Sequence, residues 1–434
     1  MERSVLTIAA SDPCAGAGIQ ADLKTFLALG VPAASVLTAV TVQNTQGVRE
    51  LHPLPPSLIE NQLRALLEDL DVEWGKTGVL CSKDIVRLVE RYADRINLVV
   101  DPILRASSGY PLLEENAIPE LKKLVGKAWV VTPNVHEAEV LTGVRIRDKE
   151  DAKRAARELF RLGVHAVVIK GGHLPGKPVD ILFDGKSMVE FTRERIDTKL
   201  HGSGCVFSAA LTAELSKGFE LKEAVERSIR FICTELERPL RIGKGASVTG
   251  FWELERKRAV EEVYSASVEF ISHPENWRLV PEVGTNIVMA LRSAKTPSEV
   301  VGLEGRIVRV GEKITMTGFP KLGGSEHVAR AVVTLMRFDS RMRGGMNVRY
   351  FEGVEKACRN LGLTVAEFSR REEPKGVKTM EWGIESAVKK AGRMPQVIFD
   401  RGAPGKEAMV RIFGRTPLEV VEIARRLAQT LEEV

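Results

Sequence analysis

Ser11-Asp12-Pro13-Cys14-Ala15-Gly16-Ala17-Gly18-Ile19-Gln20-Ala21-Asp22-Leu23-Lys24 joins a short apolar run, residues 5–10, to a segment with apolar residues at Ile19, Leu23, Phe26 and Leu27, closed by Gly30. The run reads as a buried strand and the spacing after it as a helix. A strand, a small-residue turn and a helix leave backbone N–H groups beside a cleft. Gln20 and Asp22 are planted there and can address a small polar ligand. A turn of this kind is often only structural, but the order of residues here is more specific than a generic glycine pattern.

Outward from this turn, strand-like and helix-like segments alternate to about residue 250. Residues 35–40, 97–101, 128–131 and 165–170 read as buried strands; 58–70, 82–92, 150–162 and 205–217 read as amphipathic helices. Such alternation predicts an α/β fold with a parallel sheet between helices, and ligands at the carboxyl ends of its strands. The 434 residues exceed one ordinary core. A loop at 243–250 ends the first domain, 1–250. A charged helix over 251–272 reads as a connector. A second, smaller α/β domain over 262–434 mixes strands (305–310, 396–400, 408–413) with helices (328–337, 352–361, 379–390). Thr416, Pro417 and Glu419 spell a capping box that opens its last helix.

The net charge of +5 permits anionic ligands, and no basic block interleaved with aromatics marks a nucleic-acid surface. The five cysteines are odd in number, widely spaced and without a CxxC pair. That argues against a disulfide framework or a zinc site and for a reducing compartment. No leader and no apolar run of membrane-spanning length is present, so a cytoplasmic protein without a membrane partner is expected.

His201-Gly202-Ser203-Gly204-Cys205 is a second strong motif. Gly202 and Gly204 allow close backbone approach to a ligand, and the following helix aims its positive end at an anion. That arrangement suits a transferring phosphoryl group. Cys205 at the helix start is expected to have a lowered thiol pKa and could accept the proton of an attacking alcohol; alone, it reads equally as a buried small residue. Asn134 and Glu137 follow Thr132-Pro133 as either a capping box or a ligand-organising pair. Asp101-Pro102 and Lys170-Gly171-Gly172-His173 end two further strands.

Taken together, residues 4–250 resemble the ribokinase-like hydroxymethylpyrimidine and hydroxymethylpyrimidine-phosphate kinases of thiamine synthesis. The resemblance implies ATP and Mg2+ as cofactors and Cys205 as general base. It places Gly202, Ser203 and Gly204 in the anion hole, Lys170 and Asn134 near the nucleotide, and Asp101 and Glu137 around the metal. Asp22 and Gln43 would read the aminopyrimidine edge, with Gly18 and Val79 lining its site; Lys76-Thr77-Gly78-Val79-Leu80 would supply an apolar wall. The chain departs from the family at Ala10 and Ala15 (usually Gly), Cys14 (usually Ser) and Ser107 (usually Lys), and at 198–201, one residue shorter.

The second half resembles the archaeal-type thiamine-phosphate synthase domain, ThiN. Val283-Gly284-Thr285-Asn286-Ile287, Met346-Asn347-Val348-Arg349-Tyr350, Arg371-Glu372-Glu373-Pro374 and Met380-Glu381-Trp382-Gly383 carry that likeness. It implies Arg306 and His327 as functional residues. The expectation is a bifunctional enzyme acting on small molecules, with a homo-oligomeric state. It would phosphorylate 4-amino-5-hydroxymethyl-2-methylpyrimidine to the diphosphate and join that to hydroxyethylthiazole phosphate. Two rivals are a kinase fused to a thiamine-phosphate sensor and a kinase for another alcohol such as pyridoxal.

Overall fold

The computed structural model describes residues 3–172, 174–374, 376 and 378–431; His173 of the Lys-Gly-Gly-His motif lies outside them. The chain forms two compact units, Met1–Trp252 and Glu253–Val434.

In the first unit the strands are β1 (Ser4–Ser11), β2 (Ala33–Asn44), β3 (Gly47–Pro53), β4 (Val72–Thr77), β5 (Asn97–Val100), β6 (Val130–Val131), β7 (Ala166–Ile169), β8 (Val179–Phe183) and β9 (Met188–Thr192). The helices are α1 (Gly18–Ala28), α2 (Pro56–Asp69), α3 (Lys83–Glu90), α4 (Ile118–Gly126), α5 (Val135–Thr142), α6 (Lys149–Phe160), α7 (Ser203–Ser216) and α8 (Leu221–Glu237). One nine-stranded sheet runs in the order β3-β2-β1-β4-β5-β6-β7-β8-β9. Its centre, β2 to β7, is parallel, because each crossover there carries a helix. The expected parallel sheet is corrected at both edges. β3, β8 and β9 join by short turns, which allow only antiparallel pairing. Central strands are buried on both faces, so Leu6 and Ile8 belong to one apolar cluster and Val5 and Val99 to the other.

In the second unit the helix α9 (Trp252–Ser272) leads into β10 (Ile287–Ala290), β11 (Val300–Leu303), β12 (Ile307–Val310), β13 (Lys313–Met316), β14 (Pro320–Leu322), α10 (His327–Met336), β15 (Gly344–Arg349), α11 (Val354–Asn360), β16 (Val365–Glu367), α12 (Thr379–Ala391), β17 (Val397–Asp400), β18 (Met409–Gly414) and α13 (Pro417–Thr430). The main sheet has the order β14-β11-β10-β15-β18-β17-β16, antiparallel apart from β16 against β17. Val288, Ile398 and Phe413 on one face pack with Val332 and Leu335 of α10 and Ile384 and Ala387 of α12.

Two expectations change. α9 is no free connector: Ala259, Val263, Ala266 and Phe270 are buried, and buried Glu255 pairs with Arg343 (2.6 Å) and Arg292 (3.3 Å). At α13, Thr416 Oγ1 accepts from Glu419 N (3.2 Å), but the Glu419 carboxylate accepts from Arg415 N, one residue before the cap. The box is half formed. Among the described residues no helix is long and apolar enough to cross a membrane.

Candidate active sites

The carboxyl ends of β1, β4, β5 and β7 carry the first site. Lys76, last but one in β4, is fully buried. Its Nζ donates to both oxygens of Asp22, at 2.7 and 2.8 Å, and Thr7 Oγ1 donates to the same carboxylate at 2.7 Å. Asp22 is itself 0% exposed. This corrects its expected role: a carboxylate enclosed by a lysine and a threonine has no edge left for a ring. Gln20 is likewise engaged, accepting from Asp12 N (2.8 Å) and donating to Ser11 Oγ (2.7 Å).

The turn after β1 closes around Asp12. Its carboxylate accepts from the N–H groups of Cys14 (2.9 Å), Gly16 (3.0 Å) and Ala17 (2.7 Å), and pairs with His201 Nε2 at 2.9 Å. Burial opposes that charge, but bonds from His201, Cys14 and Gln43 outweigh it and hold the carboxyl well below the usual range. Most of the N–H groups expected to face a ligand are therefore satisfied internally. The backbone of Gly18 acts on Cys205, pulling its thiol pKa down against burial. Gly18 has φ +60°, and a Cβ there would meet Ala10 O.

Gly202 caps α7 in the left-handed region, φ +77°, where a Cβ would strike Gly16 O. Ser203 opens the helix, and Cys205 is its third residue. A Cβ on Gly204 would sit 3.1 Å from Lys170 Nζ and 3.8 Å from Asp101 Oδ2, so only glycine leaves this space open. Lys170 Nζ donates to Asp101 Oδ1 (2.8 Å), and Ser208 Oγ donates to Asp101 Oδ2 (3.2 Å). Burial opposes the charge on Lys170, but Asp101 and Glu137 outweigh it and raise its pKa. Glu137 is 4% exposed and completes a full capping box with Asn134, at 2.7 and 2.9 Å. The box does not exclude a second role. Burial pushes the Glu137 carboxyl up to about 7, against an opposing pull from Lys170.

Cys205 needs a correction. Its thiol pKa is raised to about 11, because burial, joined by the Asp22 and Asp101 carboxylates, outweighs the pull of Lys76 and the Gly18 backbone. At pH 7 about one molecule in 10⁴ would carry the thiolate. Gln43 lies apart from these charges, 3.4 Å from His201 Nε2 and half-buried. Val79 packs in the apolar core, and its carbonyl accepts from Thr38 Oγ1 (2.6 Å).

Arg306 and His327 lie in the second unit and are both exposed. Arg306 donates to Val283 O. Its N–H is held by Thr317 Oγ1 at 3.0 Å, so the β12–β13 hairpin fixes its origin. His327 begins α10. Partial burial lowers its pKa; Glu326 opposes this, and the cations Arg306, Arg411 and Arg330 reinforce it. The structure thus gathers these cations around one helix start. Beside them Asn347 accepts from Asn286 N (2.8 Å) and donates to Gly284 O (2.9 Å), while Asn286 donates to Leu303 O (2.9 Å). The Asn286 and Asn347 blocks therefore brace the loops that carry Arg306.

Three features escaped the sequence reading: the Lys76–Asp22 pair, the Asp12–His201 pair, and a buried Arg370–Asp400–Arg411 group. Arg411 had a readable signal, since it is the one cation in an otherwise apolar stretch of strand. A cation buried in a strand needs a partner.

These features define an α/β kinase of ribokinase-like fold, followed by a smaller α/β unit with a cationic site. A family model described as phosphomethylpyrimidine kinase matches residues 12–250, and one described as thiamine-phosphate synthase ThiN matches residues 262–426. The bifunctional thiamine biosynthesis protein ThiDN of Methanocaldococcus jannaschii is 32% identical over 98% of this chain and 99% of its own. The hydroxymethylpyrimidine/phosphomethylpyrimidine kinase of Bacillus subtilis is 42% identical over 58% of this chain and 95% of its own. Among solved structures, the ADP complex of Bacillus subtilis pyridoxal kinase is 35% identical, covers 58% of this chain and 99% of its own, and superposes with a TM-score of 0.55. The chain belongs to the bifunctional family of thiamine biosynthesis that joins a phosphomethylpyrimidine kinase to a ThiN-type thiamine-phosphate synthase. It uses ATP as the phosphoryl donor of its kinase half.

Proposed function

We propose that residues 1–250 phosphorylate the pyrimidine alcohol and its monophosphate through Cys205, Lys76, Asp101, Glu137 and Lys170, and that Arg306 and His327 form the synthase site. The observation that carries the kinase assignment is the row Lys76, Cys205, Asp101, Lys170, Glu137, assembled from three strand ends and two helix starts. In its thiolate form, with its own proton lost to water, Cys205 accepts the proton of the attacking hydroxyl. Its raised pKa makes it a strong acceptor once deprotonated, and Lys76 and the Gly18 backbone stabilise the thiolate. Lys170 and the α7 N-terminus offset charge on the transferring phosphoryl group. Gln43 reads the ring edge.

Asp101 and Glu137 fit a magnesium ion. They are buried oxygen donors, and burial leaves Glu137 half-protonated near neutral pH unless a cation joins it. Magnesium takes one or two carboxylates and fills its shell with water and phosphate oxygens. When bound, it neutralises phosphate charge. A cytoplasmic setting agrees with the five free cysteines.

In the second unit the aminopyrimidine pushes electrons toward the methylene as pyrophosphate departs. The protein's task is to stabilise the leaving anion, which suits a cationic site with a neutral histidine. The test supplies the pyrimidine alcohol, ATP, magnesium and thiazole phosphate to the full chain and follows thiamine phosphate. Arg306→Ala should accumulate the pyrimidine diphosphate. Unimpaired thiamine phosphate formation by that variant would remove Arg306 from the site.

A further inference from the structure

Two guanidinium groups share one carboxylate in the second unit. Arg370 donates to Asp400 through Nε (2.6 Å) and Nη2 (3.2 Å), and Arg411 donates through Nη1 (2.9 Å). The side chains of Asp400, Arg411 and Arg370 are 0, 5 and 11% exposed. The group therefore holds one excess positive charge largely removed from water, which is costly without a counter-charge.

Arg370 has closed its fork on Asp400. Arg411 has not. Its Nη1 is used by Asp400 and, at 3.5 Å, by Met409 O. Among the described residues neither its Nε nor its Nη2 has a hydrogen-bond partner, and the guanidinium carbon lies 5.5 Å from the centre of the Phe368 ring. A buried arginine thus keeps N–H donors on one edge without a partner among the described residues.

The strand register places these donors. Arg411 on β18 pairs directly with Asn347 on β15, and directly paired antiparallel residues share a sheet face. Asn347 binds Asn286 N, and Asn286 binds the backbone of Leu303. Next to Leu303, a Cβ on Gly302 would lie 2.8 Å from Ser325 Cβ. The polar row from Arg411 therefore ends at the glycine-rich loop that opens α10 with His327.

We propose that Arg411 binds the diphosphate of the pyrimidine substrate, and the pyrophosphate released from it, through its Nε and Nη2 edge beside His327. This rests on the synthase site lying at Arg306 and His327. A guanidinium fork matches two phosphate oxygens, which a lysine cannot do. Asp400 is then a positioning residue that fixes the plane of the fork.

The experiment compares wild-type chain with Arg411→Lys, supplied with the pyrimidine diphosphate and thiazole phosphate. The KM for the diphosphate and the inhibition constant for pyrophosphate should both rise on the order of 10–100-fold, the cost of charged hydrogen bonds. The KM for thiazole phosphate should hold within about twofold on the same reasoning. A folded variant with both anion constants unchanged overturns the proposal. A structure of the wild-type chain with pyrophosphate decides the matter without any variant. Phosphate oxygens within about 3.2 Å of Nε and Nη2 support it; pyrophosphate held by Arg306 and His327 with none on Arg411 overturns it. If Arg306→Ala and His327→Ala leave synthesis intact, the placement of the site has failed, and pyrophosphate on Arg411 would still show the anion contact.

Discussion

In the first unit the working charges are enclosed: Lys76, Asp101 and Glu137 are at most 4% exposed. In the second, Arg306 and His327 stand exposed at the base of a hairpin and at a helix start, and the buried charges include Asp400 and Arg411. The difference follows the chemistry. Phosphoryl transfer to an alcohol needs a base, a cation-binding pair and excluded water, so opposite charges must be stored side by side before substrate arrives. Departure of pyrophosphate needs only positive charge where negative charge grows. The first unit should therefore couple activity tightly to folding, and the second should not.

The contrast can be broken most sharply at Cys205. Cys205→Ala should slow phosphoryl transfer by roughly 10²–10⁴-fold, the range for general acid–base catalysis, without unfolding the chain. In single-turnover assays the wild-type step should speed up as pH rises from 7 toward 9, since the thiol titrates near 11. A flat profile with near-normal turnover in the variant would return Cys205 to packing.

Lys76→Met should come next. It strands Asp22 without its counter-charge, a loss of about 3–5 kcal/mol for a broken buried pair, read in the urea transition of the first unit. Adding Asp22→Leu should recover much of that stability but no kinase activity. Equal stability of Lys76→Met and wild type would mean that the pair is not closed in solution.

Arg306→Ala and His327→Ala should each lower thiamine phosphate formation by about 10²–10³-fold, as for a lost oxyanion contact. Exposed residues are cheap to replace, so urea midpoints should barely move. A large stability loss would erase the distinction between the two units.

The smallest effect is at Glu137. Its carboxyl is raised from 4.5 to about 7, so between those values the folded chain binds more protons than the unfolded one. Stability therefore falls as pH rises through that window, by at most about 3 kcal/mol. Glu137→Gln keeps an acceptor for Asn134 N and removes the titration. It should be more stable than wild type at pH 8, with the gain fading below about pH 4.5, while kinase activity drops. A variant less stable at pH 8 would show that the site stores no such penalty.

Much of this was legible in sequence. Periodicity located the central strands, because strands buried on both faces are continuous apolar runs. The glycines of 202–204 marked a close approach that the structure repeats at Gly16 O and Lys170 Nζ. The antiparallel edge at β8 and β9 was hidden because both strands are only five residues long. Asp22 was misread for a more general reason. A carboxylate next to a glycine-rich turn looks available until its partner is known, and Lys76 lies 54 residues away. The lowered pKa expected of Cys205 rested on the helix start alone. Complete burial outweighs one helix end. Arg411, the one cation in Met409-Val410-Arg411-Ile412-Phe413, signalled that it needed a partner, but only the fold shows that the partner is Asp400 on the neighbouring strand.

The measurement that bears most directly on two separate sites in one chain is a rescue. Full-length wild type, Cys205→Ala and Arg306→Ala are each given the pyrimidine alcohol, ATP, magnesium and thiazole phosphate, with and without added pyrimidine diphosphate. The account predicts that added diphosphate restores thiamine phosphate formation to wild-type rate in Cys205→Ala and does nothing for Arg306→Ala, which accumulates the diphosphate instead. Failure of the rescue in Cys205→Ala, or restoration in Arg306→Ala, would contradict it.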